Sequence, residues 1–148
     1  MVERILVATD GSNHARKAIE YASDIASKYN AKLYLIHVVS ETDIPQDVLE
    51  YIKVEGIEEP PKSVYLQKVG EGIIGAAEKE ITEKGVKDVQ SVVTQGDPAE
   101  KIIEFARDNR VDMIVIGSRG LGSIKGMFLG SVSSKVCHAA DCTCVTIK

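Results

Sequence analysis

The chain predicts an α/β fold: one domain in three layers, with helices on both faces of a five-stranded parallel sheet ordered 3-2-1-4-5. Three observations carry this expectation. Short continuous apolar runs alternate with segments whose apolar residues recur every three or four positions. The connections between them carry helix-start and helix-stop chemistry. Strands one and four both end in small or polar residues, Ala8-Thr9-Asp10 and Gly117-Ser118. As neighbours at the reversal of strand order, they would face one crevice, where ligands bind in such sheets.

Residues 5–8 (ILVA) read as a strand buried on both faces. Thr9-Asp10-Gly11-Ser12 ends it, with Ser12 as the N-cap of the first helix. Ala15, Ala18, Ile19, Ala22, Ile25, Ala26 and Tyr29 give that helix one apolar face, and Asn30 stops it. Residues 33–39 are the second strand. Residues 40–62 carry seven acidic side chains against two lysines, with Pro45, Pro60 and Pro61, and read as an acidic, partly ordered insertion. Within it, Leu49, Tyr51, Ile52, Val54 and Ile57 could form a short helix or lie over the core. A helix over 64–84 would bury Val69, Ile73, Ala76, Ala77 and Ile81, with Gly85 just past its end.

Residues 89–94 form the third strand. Asp97-Pro98-Ala99-Glu100 then opens a helix: Asp97 caps, Pro98 takes the first position, and Glu100 can complete a capping box. Ala99, Ile102, Ile103 and Ala106 face inward along it. Residues 112–117 are the fourth strand, 131–140 the last helix with Val132, Val136 and Ala139 inward, and 142–148 the fifth strand.

Composition bounds the function. Apolar residues make up 44% of the 148 and charged residues 27%, as in an ordinary globular protein. The net charge of −4 and the lack of a Lys/Arg run argue against indiscriminate binding to nucleic acid or anionic membrane. No apolar run is long enough to cross a bilayer, and the N-terminus enters a strand without signal-peptide character, so a cytoplasmic protein is expected. The odd set Cys137, Cys142 and Cys144 argues against a disulfide framework and lacks CxxC spacing. These cysteines read as small buried apolar residues rather than metal ligands.

The chemistry concentrates around residues 114–132, IVIGSRGLGSIKGMFLGSV. A buried strand ends at Gly117, Gly120 follows, and Gly130-Ser131 opens a helix. Backbone N–H groups and the positive end of a helix come together there, which suits a phosphate. Gly117 and Gly120 are expected to adopt backbone angles that other residues resist and to permit close approach. The Ser131 hydroxyl can donate to phosphate oxygens. Arg119 and Lys125 could neutralise phosphate charge; the plainer reading is two solvated loop side chains. Asp10 could bind ribose hydroxyls or, through water, a phosphate-held divalent ion, against the plainer role of a turn residue. His37 reads as a satisfied core or edge histidine, and His14 and His138 as structural. Val38 could offer backbone groups and an apolar surface to a base.

Commoner phosphate motifs do not fit. A P-loop needs GxxxxGK[ST], but Gly122 is followed by Ser123. The dinucleotide pattern needs GxGxxG after the first strand; here Gly120-Leu121-Gly122 follows the fourth, and Gly126 comes one place late. A phosphoacceptor receiver domain needs Asp at the end of strand three, where this chain has Thr94-Gln95-Gly96.

With these residues in place, the chain resembles the nucleotide-binding subgroup of the universal stress proteins. The subgroup's G-x2-G-x9-G-[S/T] pattern is met by Gly117, Gly120, Gly130 and Ser131. The opening ILVATDGS and the later LIHVV resemble the family's first two strands, and the likeness runs from Ile5 to Ile147, least alignable over 40–62. The resemblance implies a Rossmann-like, adenine nucleotide alpha hydrolase-like fold across residues 1–148. It implies ATP, or ADP or AMP, in the crevice, with Mg²⁺ or Mn²⁺ on the phosphates. Ala8, Thr9 and Asp10 would lie beside ribose and phosphates, Val38 beside adenine, and Ile116 and Gly117 near base and sugar. Gly120, Gly130, Ser131 and Val132 would hold the phosphates, with Arg119 beside them. It also implies a homodimer through residues 144–148, although Thr143 stands where many members have proline.

The function expected is a nucleotide-dependent switch or sensor in stress response. No catalytic base is identifiable, so hydrolysis would be slow. Two alternatives stay open: a slow ATPase or autophosphorylating enzyme with Ser131 or Ser133 as acceptor, and an interaction module that binds another adenosine-containing ligand or none.

Overall fold

A computed structural model of the chain describes residues 1–40, 46–56, 61–120 and 129–148. Five strands, β1 (Arg4–Ala8), β2 (Lys32–Val39), β3 (Val89–Gln95), β4 (Met113–Gly117) and β5 (Thr143–Ile147), form one sheet. The order is β3-β2-β1-β4-β5 and every pairing is parallel, as expected from the alternation. The helices are α1 (Asn13–Tyr29), α2 (Gln46–Val54), α3 (Pro61–Glu83), α4 (Pro98–Asp108) and α5 (Ser131–Ala139).

The two-residue period of the strands sorts the core into two layers. Ile5 and Val7 of β1, Leu33 and Leu35 of β2 and Val115 of β4 pack against Ala18, Ala22 and Ala26 of α1 and Ile74, Ala77 and Ile81 of α3. Leu6, Ala8, Tyr34, Ile36, Val38, Ile114 and Ile116 point the other way, onto Ala99, Ile102 and Ala106 of α4 and Val136 of α5. Because both faces are covered, the central strands need apolar residues at every position, which explains the continuous runs.

Local chemistry ends the elements where expected. The Ser12 side chain accepts from the Ala15 N–H, and Asn30 closes α1 in the left-handed conformation (φ 52°). Asp97 accepts from the Glu100 N–H with Pro98 opening α4, and Gly85 takes φ 80° past α3. Asp112 lies just before β4 instead of within it. Its carboxylate accepts the N–H groups of Glu3 and Arg4 at 3.0 and 2.8 Å and holds the chain's start to the sheet.

Three helix faces differ from expectation. Tyr29 is 56% exposed. In α3, Val69 and Ala76 are exposed and Ile73 is half-buried; Leu66, Gly70, Ile74, Ala77 and Ile81 are the buried positions. The cause is Gly70, where a Cβ would lie 2.7 Å from Cγ1 of Val93. The helix meets the sheet at a residue with no side chain. In α5, Ala139 is exposed and Ser133 is buried in its place. Helix α2 occupies part of the acidic insertion, and Val54 at its end is 82% exposed. Ile57 lies outside the described residues.

Candidate functional site

The crevice starts from register. Ala8 of β1 pairs with Ile116 of β4, so Thr9-Asp10 and Gly117-Ser118 leave the sheet side by side. From β1 the chain passes to β2 on one side, whereas β4 leads to β5 on the other. This is the reversal point at which parallel sheets open a ligand crevice.

The tip of β1 is held by short bonds. The Thr9 N–H donates to Ile36 O at 2.9 Å, and Thr9 O accepts from Nδ1 of His37 at 2.7 Å. A carbonyl can only accept, so Nδ1 carries the proton. His37 is buried and is the satisfied core histidine expected. The Gly11 N–H donates to Thr9 Oγ1 (3.2 Å) and the Ser12 N–H to Asp10 Oδ1 (2.9 Å), with Gly11 at φ 81°. Only glycine adopts that angle without strain, so Gly11 shapes the turn that presents Asp10.

The motif glycines meet one half of the expectation. None of Gly117, Gly120 and Gly130 is among the glycines with positive φ; Gly117 and Gly120 serve close approach, and a Cβ on Gly130 would make only ordinary contacts from 3.4 Å. A Cβ on Gly117 would meet His14 C at 2.8 Å and Ala15 N at 2.9 Å, so this glycine admits the first turn of α1 against β4. A Cβ on Gly120 would lie 2.5 Å from Asp10 Oδ2. Two residues 110 positions apart in sequence are thereby adjacent at the mouth of the crevice.

Ser118 ties the loop's base. Its N–H donates to Ile147 O at 2.7 Å, and its carbonyl accepts the Gly130 N–H at 2.6 Å and the Ser133 hydroxyl at 3.0 Å. Ser118 and Ser133 are 1% and 2% exposed. The sequence placed Ser118 at the tip of strand four but gave no sign of these bonds. Ser133, a candidate acceptor in the autophosphorylation alternative, donates its hydroxyl to main-chain carbonyls below the surface, an unsuitable place for a phosphoacceptor.

These bonds set the start of α5 beside the tips of β1 and β4. Gly130 is its N-cap and no side chain caps it, whereas Ser12 caps α1 and Asp97 caps α4. An uncapped helix start presents N–H donors and the positive end of the helix dipole. Ser131 is exposed there, Val132 and Arg119 are half-buried, and Asp10 is half-buried opposite. Ala8, Val38 and Ile116 belong to one buried cluster, with Val132 packed against it, and supply an apolar wall. Ala8, Thr9, Asp10, Ile116, Gly117, Arg119, Gly120, Gly130, Ser131 and Val132 thus lie around the tips of β1 and β4, with Val38 on the neighbouring strand β2. Lys125 and the rest of 121–128 lie outside the described residues.

Among the described residues no group of three or more His, Cys, Asp or Glu side chains could hold a metal. The cysteines are half-buried rather than fully buried. Among the described residues no helix is long and apolar enough to cross a membrane.

The fold and site define a doubly wound α/β domain with a polar crevice at the reversal of its sheet. The universal stress protein family model matches residues 1–148, and the chain belongs to that family. It is similar to universal stress protein YxiE of Bacillus subtilis, 34% identical over 151 aligned residues that cover all of both chains. It is also similar to a universal stress protein of Thermus aquaticus, 33% identical with full coverage of both. Among solved structures it is similar to the MJ0577 protein of Methanocaldococcus jannaschii, with TM-score 0.81 and 27% identity, covering 100% of this chain and 96% of that one. The fold is shared by a universal stress protein in complex with cAMP (TM-score 0.71, 23% identity, coverage 99% and 96%). It is shared too by one from Archaeoglobus fulgidus in complex with dAMP (TM-score 0.67, 18% identity, coverage 100% and 98%).

Proposed function

We propose that the crevice binds an adenine nucleotide, ATP above all, and that the protein is a cytoplasmic, nucleotide-dependent switch or sensor in stress response. The observation that carries this reading is the uncapped start of α5, set beside Gly120 and Asp10 at the reversal of the sheet. The phosphates would take the N–H groups at Ser131 and Val132, the Ser131 hydroxyl, and the close approach at Gly120 and Gly130. Arg119 would add positive charge. Ala8, Thr9 and Asp10 would lie along ribose and phosphates, and Val38, Ile116 and Gly117 beside base and sugar. Adenine nucleotides bound to two other proteins of this fold, as cAMP and dAMP, support the ligand class.

Asp10 is a single carboxylate, and one oxygen already accepts the Ser12 N–H. An Mg²⁺ or Mn²⁺ ion would therefore take its inner ligands from phosphate oxygens and water, with Asp10 reaching it through water. The edge position of β5 supports pairing of two copies through residues 144–148. Light scattering on the purified chain should then give twice the chain mass, and a monomer would end that part of the reading.

The ligand is tested by denaturing the purified protein and chromatographing what it releases. Adenine nucleotide in stoichiometric amount supports the reading. A release free of adenine nucleotide, from protein that also fails to bind added ATP, overturns it.

A further inference from the structure

Cys137 near the end of α5 and Cys144 in β5 place their sulfur atoms 2.8 Å apart. This distance exceeds a disulfide bond of about 2.05 Å, and closing it requires a movement of under about 1 Å. We propose that Cys137 and Cys144 are a redox-active dithiol that converts reversibly to an intramolecular disulfide, leaving Cys142 free. Three features favour this pair. Both residues are half-buried, so they retain a path to small oxidants. Cys144 lies over the cluster beneath α4 and α5 and so faces α5 instead of pointing along the sheet edge. Burial, followed by its contact with Cys137, raises the Cys144 thiol above its ordinary range.

With a hydroperoxide as oxidant, one sulfur of the pair, as thiolate, attacks one peroxide oxygen. The O–O bond breaks, the sulfur becomes a sulfenic acid, and the departing oxygen takes up a proton. The second thiol then loses its proton and attacks the sulfenic sulfur. The S–S bond forms, the S–O bond breaks, and the oxygen leaves as water. With hydrogen peroxide itself, two thiols and one peroxide give one disulfide and two waters. A small dithiol reverses the change by exchange. The link ties the far end of α5 to the edge strand, on the helix whose other end opens the crevice.

The full chain is treated with hydrogen peroxide, its remaining thiols are alkylated, and its intact mass and peptides are measured. The expected result is one alkylated thiol, Cys142, and a linked Cys137–Cys144 peptide, both reversed by dithiothreitol. The oxidised chain should also melt at a higher temperature than the reduced one. Cys142→Ser should form the same link, so the test does not depend on either paired cysteine surviving substitution. Three alkylated thiols after peroxide, a link that involves Cys142, or a link between chains overturns the proposal.

Discussion

An added Cβ would meet different surroundings at each of the three motif glycines, and this lets a folding effect be told from the proposed binding effect. At Gly117 the obstacle is the main chain of α1, which cannot yield without displacing the helix. Gly117→Ala should cost roughly 1–3 kcal/mol of overpacking and lower the urea midpoint at an unchanged slope. Parent-like stability would show that α1 does not press on β4 there. At Gly130 the nearest atoms to an added Cβ are 3.4–3.6 Å away, ordinary contact, and φ is −69°. The protein itself has room for a methyl group. Gly130→Ala should hold stability to within about 1 kcal/mol, the difference set by alanine's weaker capping. It should still weaken ATP binding, because the methyl would stand where phosphate approaches. Calorimetry and urea unfolding on the same preparation check both halves. Spacing showed where these glycines stand; it could not show what presses on them, because His14 and Asp10 come from the far end of the chain.

Elements bounded by local chemistry were legible, and those placed by tertiary contact were less so. Ser12, Asn30, Gly85 and Asp97 end their helices as expected because caps depend on neighbours within a few residues. The buried face of α3 was misread toward Val69 and Ala76. The contact that orients the helix is made at Gly70, which contributes no side chain to an apolar pattern. Gly70→Ala tests this orientation. Its Cβ would fall 2.7 Å from Val93 Cγ1, with Val39 Cγ2 at 3.3 Å, and β-branched valines have few alternative rotamers. A loss of roughly 1–3 kcal/mol in urea unfolding is expected, and an unchanged midpoint would contradict the close approach. For α5 the reverse holds: the missing side-chain cap at Gly130 is the observation on which the proposed phosphate site rests. The start of α5 was legible because the strand, glycines and helix follow one another directly in sequence.

Over the whole molecule, the order β3-β2-β1-β4-β5 followed from alternation and from the small and polar residues at two strand ends. Continuous apolar strands required both faces of the sheet to be covered, and the two observed clusters cover them. Less legible were the buried polar contacts around the tips of β1 and β4. Ser118 joins β5 and the start of α5, and His37 of β2 fixes the tip of β1. Each is a polar residue buried by partners distant in sequence, and a pattern of apolar spacing carries no record of them. Together they hold a helix start, a carboxylate and an apolar wall in one place. The most direct measurement of the central claim is calorimetric titration of the full chain with ATP in the presence of Mg²⁺, after any carried ligand has been removed. Saturable binding of one ATP per chain is predicted. A folded chain that takes up no ATP would contradict it.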